Sequence, residues 1–193
     1  MPDNGVENGA MRWILLGCVG IAIVVGISLA PPRNPVPASH VPMDTFTIKS
    51  SVFKEGGAIP AKFTCDGDDV NPFLEIKNTP EGTVSFALVV DDPDAPRGTW
   101  IHWLVWNIDP KTQYISEDNL PSDAVQGKTS AGYVKYSGPC PPRGDKPHRY
   151  VFSLYALDTM LTVPAGADNA ALLAAMEGHI INQTALTGLY QRP

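Results

Sequence analysis

The residues of this chain best suited to chemistry fall in three short segments, each beside an apolar run. The first is Asp91-Asp92-Pro93-Asp94-Ala95-Pro96, which leaves the run Val84 to Asp91. Proline fixes φ and removes a backbone donor, so this turn is stiff and its carboxylates are held in place. Read alone, it is equally a capped turn with solvated aspartates. The second is His102 in TWIHWLVWNI. It shares parity with Leu104 and Trp106 and is expected on the same face as these apolar residues. A lone histidine there also fits a satisfied core group. The third is GPCPPRGDKPHRY, Gly138 to Tyr150, whose four prolines and two glycines shape a loop that feeds a strand. Alternation puts His148 and Tyr150 on one face and Arg149 on the other. Taken alone, this is also an ordinary β edge with polar tips. Taken together, the segments suit anion binding. His102 and His148 can each donate a ring N–H to an oxyanion, and Tyr150 can add its O–H. Asp92 would hold a histidine in one tautomer and raise its pKa, and Asp94 would meet a cationic group.

These side chains need a rigid frame, and the pattern predicts a β one. Thr45 to Ser50 (TFTIKS) alternates apolar and polar residues, the period of a half-buried strand. Val84 to Asp91, Ile101 to Ile108 and Tyr150 to Leu157 are apolar on both faces, as central strands of a sandwich are. Turn-rich pieces separate them at Asp66 to Asp68, Pro80 to Gly82, Asp92 to Gly98 and Gly138 to Pro147. One helix is expected near the end, capped by Asp168 or Asn169, with Leu172, Met176 and Ile180 on one face. The sum is a mainly β sandwich with a C-terminal helix.

The chain has 193 residues, a formal net charge of −6, 44% hydrophobic residues, 19 prolines and 17 glycines. An acidic chain without a Lys/Arg-rich run lacks the basic footprint of a nucleic-acid binder. Residues 1–12 form a tail. Residues 13–30, WILLGCVGIAIVVGISLA, carry no charge and at about 1.5 Å per residue just span a bilayer core, so a single transmembrane anchor is expected. A cleaved signal ending at Ala30 competes with this reading, against Pro31 and Pro32; a lipoprotein at Cys18 does too, against the apolar run that continues past it. Residues 31–43 are a proline-rich spacer, extended at about 3.1 Å per residue. The folded domain is expected at 44–193, on the extracytoplasmic side.

The ordered set DPDAP at Asp92 to Pro96, His102 in the next strand, GPCPP at Gly138 to Pro142 and HRY at His148 to Tyr150 resembles the phosphatidylethanolamine-binding proteins, in their bacterial Raf kinase inhibitor-like form. FTCDGDDVNP at Phe63 to Pro72 also resembles that subgroup. The resemblance implies two antiparallel sheets in Greek-key arrangement and a small pocket for phosphate or phosphoethanolamine-type head groups. It places Asp92, Asp94, His102, His148 and Tyr150 in that pocket, with Cys140, Pro141 and Pro142 on its rim. Two positions depart from the pattern: Asp91 adds a carboxylate before DPDAP, and Phe73 stands where a second proline is expected.

The expected function is therefore that of a membrane-anchored binding protein for a phospholipid head group or small phosphorylated ligand. The alternative is an inhibitor or regulator of a protein partner, a kinase or a protease. An enzyme is a weaker reading, because no G-x-S-x-G, H-E-x-x-H, G-x-G-x-x-G or P-loop occurs. No cofactor is expected. A metal site from His102, His148 and Cys140 matches no standard zinc spacing. Cys65 and Cys140 lie 75 positions apart, in loops beside the motifs. A disulfide between them is one reading for an oxidising compartment, and two buried or idle thiols are the other.

Overall fold

The structure, a computed structural model, describes residues 45–193. Its strands are, in chain order, β1 (Thr47–Lys49), β2 (Gly57–Ala58), β3 (Leu74–Lys77), β4 (Ser85–Asp92), β5 (Trp100–Ile108), β6 (Tyr114–Ile115), β7 (Val125–Gln126), β8 (His148–Leu157) and β9 (Ile180–Tyr190). A short 3-10 turn spans Ala61–Phe63, and helix α1 (Asn169–Met176) lies between β8 and β9. The expected membrane anchor at 13–30 and spacer at 31–43 lie outside the described residues. Among the described residues no helix is long and apolar enough to cross a membrane.

The strands form two sheets, β1-β3-β6 and β2-β9-β8-β4-β5-β7. Alternation along the central strands explains the layering. Phe86, Leu88 and Val90 of β4 join Phe152, Leu154 and Ala156 of β8, and Leu186 of β9, in one buried cluster with Ile48, Leu74 and Ile76 from the small sheet and Phe46 just before it. The intervening residues Ala87 and Val89 join Leu104, Trp106, Leu172 and Met176 in a second cluster, so α1 covers the other face. Both faces of β4 and β5 are buried, as their unbroken apolar runs require. Each large aliphatic or aromatic side chain buried this way contributes about 1.5–3 kcal/mol.

Three expectations need correction. Pairing is antiparallel except where β2 runs parallel to β9, Gly57 opposite Gly188. The helix is present and capped by Asp168, whose side chain accepts from the Ala171 N–H at 3.0 Å. Leu172 and Met176 are buried in it, but Ile180 is 43% exposed and already belongs to β9. Glu177 leaves helical geometry with ψ 127 and Gly178 takes φ 79, so the third turn never forms. The last strand itself, IINQTALTGLY, is missing from the sequence reading. His179 Nδ1 lies at the surface, 2.8 Å from Asp158 Oδ1.

Candidate functional site

The apolar alternation that builds the inter-sheet core continues to one end of β4 and β8, and there it turns polar. Asp92 follows Phe86, Leu88 and Val90 on the inner face, and His148 and Tyr150 precede Phe152 on theirs. Asp92, His148 and Tyr150 are 4%, 3% and 1% exposed. His102 arrives by another route. Val90 pairs with Trp103 and Asp91 with Ile101, so His102 is the extra residue of a β-bulge. A bulge re-aims a side chain. His102 therefore leaves the face of Leu104 and Trp106, where parity placed it. Its ring stands edge-on to Tyr150, centroids 5.1 Å apart.

The hydrogen bonds assign roles to the ring nitrogens. His148 Nδ1 lies 2.8 Å from Asp92 Oδ2, and a carboxylate only accepts, so Nδ1–H donates. The other oxygen of Asp92 accepts the Asp94 N–H at 2.8 Å. His102 Nδ1 lies 2.6 Å from the Ser137 carbonyl and must donate to it. Burial holds the His102 imidazolium in disfavour, lowering its pKa despite the Ser137 carbonyl and the Asp92 charge, which act the other way. Neutral His102 with a proton on Nδ1 presents a lone pair at Nε2. It is an acceptor, where the sequence reading had a donor.

Two further residues differ from expectation. Asp94 is not available to a ligand cation. Arg149 grips it with Nε at 2.9 Å and Nη2 at 2.8 Å, and adds its backbone N–H at 2.9 Å. These bonds hold the Asp94 carboxyl well below the usual carboxylate range. Parity sends Arg149 outward from the inner face, which is where the end of the DPDAP turn passes. Tyr150 sits under the site and does not line the cavity; its hydroxyl has no hydrogen-bond partner among the described residues. Burial, then the Asp92 charge, pushes its phenol well above the ordinary range. Asp91, the extra carboxylate, is half-buried, and burial followed by Asp92 raises its pKa.

A cavity of about 420 Å³ opens above Asp92, His102 and His148. Pro96, Ala131, Pro141 and Pro142 wall it with apolar surface, and Arg97 and Trp100 stand at its edge. Cys140 also lines it, and its sulfur is bonded to that of Cys65, Cα atoms 5.4 Å apart. The disulfide removes Cys140 as a metal ligand. Arg97 and Trp100 were missed by the sequence reading. Arg97 directly follows DPDAP and Trp100 stands two positions before His102, so both were within reach of the motifs.

The loop wall is set by close approach. A Cβ on Gly138 would lie 2.4 Å from the Phe63 carbonyl oxygen and 2.9 Å from Thr64 Cα, both backbone. The Gly138 N–H donates to Asp69 Oδ1 at 2.6 Å. Gly138→Ala is therefore expected to destabilise the domain by about 1–3 kcal/mol, the scale of overpacking, and to displace the cavity wall. Urea denaturation measures the first effect. An unchanged midpoint would mean that the loop yields without cost.

Residues 49–191 match the family described as phosphatidylethanolamine-binding protein. A UPF0098 protein of Pyrococcus horikoshii is 46% identical over 149 residues, 74% of this chain and 75% of that one. Among solved structures, a putative phosphatidylethanolamine-binding protein homologue of Chlamydia trachomatis is similar, with TM-score 0.73, 39% identity, and coverage of 77% of this chain and 99% of that one. YbcL of E. coli, described as a member of the mammalian family, also has TM-score 0.73, at 34% identity over 77% of this chain and 99% of its own. The chain belongs to the phosphatidylethanolamine-binding protein family.

Proposed function

We propose that the domain is a binding protein whose cavity takes a small phosphate-type anion, tethered to a membrane by the apolar segment 13–30. The observation that carries the ligand reading is the commitment of both imidazoles. Each spends Nδ1 on a protein acceptor, which leaves Nε2 of His102 and of His148 as the ring nitrogens for the cavity they line. Arg97, at the edge, is exposed and supplies positive charge. A phosphate oxygen would accept from Arg97 and from an Nε2–H of His148, while a P–OH donates to His102 Nε2. Apolar walls strengthen such bonds by excluding water.

The membrane half of the reading rests on the uncharged 18-residue run alone. The ligand half is tested by titrating residues 44–193 with inorganic phosphate, by calorimetry or chemical-shift perturbation. Binding in the millimolar range is expected. Arg97→Ala should weaken it by about 1.5 kcal/mol, the low end for a hydrogen bond to a charged group, because Arg97 is exposed. No response at millimolar phosphate, from a domain shown to be folded, would remove the assignment.

A further inference from the structure

Asp145 faces the ring nitrogen that the proposed ligand needs. His148 has Nδ1 engaged by Asp92, and Asp145 Oδ2 stands 3.6 Å from its Nε2. That is ion-pair range and beyond a hydrogen bond. The backbone of Asp145 is pinned. Its N–H donates to the Pro142 carbonyl at 3.3 Å, and its carbonyl accepts from Gln191 Nε2 at 2.8 Å. The same loop is tied down through Cys140 and through Arg143, which donates to the Pro193 carbonyl at 2.6 Å. The carboxylate itself is 43% exposed and accepts no hydrogen bond among the described residues. A fixed backbone with an unbonded side chain lets the carboxylate swing between His148 and water at little cost.

We infer that Asp145 is an internal counter-anion: its carboxylate occupies the seat at His148 Nε2, and a ligand anion binds by displacing it. The inference rests on the reading of the cavity as a site for a phosphate-type anion. It adds a rule of selection. A carboxylate ligand replaces Asp145 with a group of the same charge and gains little. A phosphate dianion brings more charge and reaches both His148 and Arg97, so it displaces Asp145 with profit. Phosphate is thus preferred over acetate, and only the more strongly held anion overcomes Asp145.

The test uses the full chain in detergent micelles, titrated with inorganic phosphate, acetate and phosphoethanolamine while the His148 imidazole signals are followed by NMR. Asp145→Asn should bind phosphate about tenfold more tightly, the effect of removing one like charge about 4 Å from the seat in a largely solvated setting. The gain should shrink with added salt. Acetate should gain less than phosphate in the same variant, and Asp145→Glu should return both toward wild type. Unchanged or weaker phosphate binding by Asp145→Asn, with His148 still responding, overturns the inference. So does phosphoethanolamine binding that the wild type shows and Asp145→Asn loses, because Asp145 would then receive the ammonium group. If neither protein responds to any of the anions, the binding reading itself fails and takes the inference with it.

Discussion

Replacing both Cys65 and Cys140 by serine is expected to lower the unfolding free energy by about 4 kcal/mol, the chain-entropy value for a loop of 75 residues. The same change should weaken phosphate binding, because Cys140 lines the cavity and its neighbours Ser137, Gly138, Pro141 and Pro142 form one wall of it. The wall has other supports. The Cys65 N–H donates to the Pro139 carbonyl at 3.1 Å, and the Tyr136 hydroxyl donates to the Phe63 carbonyl at 3.0 Å. Nearby, Asp66 accepts from the Tyr190 hydroxyl at 2.7 Å and from Arg192 at 2.9 Å. These bonds survive loss of the disulfide, so the loop should loosen without melting, and affinity should fall severalfold without vanishing. Urea denaturation of the two proteins, with phosphate titrations on each, checks both statements. A large stability loss with unchanged affinity would separate the disulfide from the site.

What the sequence makes legible follows how local each signal is. The strands β4, β5 and β8 were readable within a residue or two because their apolar runs are long and bounded by turns. His148 and Tyr150 were placed together correctly because simple alternation holds through β8, Asp91 to Ser85 pairing with Val151 to Leu157 in unbroken register. His102 was assigned to the wrong face because a bulge is a property of two paired strands, and no one-strand pattern contains it. The last strand was missed because Asn182 and Gly188 depress its β signal, while neighbouring β8 supplies the pairing. Asp94 shows the same limit in electrostatics. Its type and rigidity were plain, but Arg149, 55 positions later in the chain, decides that it is already satisfied. The proton positions on the two imidazoles belong to this class too. They depend on whether a carbonyl or a carboxylate faces Nδ1, and only the folded chain brings Ser137 and Asp92 there.

Asp92→Ala should cost about 1–3 kcal/mol of stability for each buried donor it leaves without a partner. Asp92 and His148 have side chains only 5% and 3% exposed, so the missing acceptor is not replaced by bulk water. The change strands the His148 Nδ1–H and also frees the Asp94 N–H, which Asp92 Oδ1 accepts at 2.8 Å. The DPDAP turn then loses its inner anchor, though Arg149 still grips its Asp94 end. Asp92→Asn separates charge from geometry. Its amide oxygen can keep one of the two bonds, so it should fold better than Asp92→Ala. The neutral amide, however, no longer brings a negative charge to the base of the cavity. Asp92→Asn should therefore change phosphate affinity while losing only part of the stability. Parallel urea and phosphate titrations, the latter followed by His148 NMR, give both readouts. Wild-type stability in Asp92→Ala would mean that the pair at the base of the cavity contributes nothing net. Wild-type phosphate affinity in Asp92→Asn would mean that the Asp92 charge has no part in ligand binding.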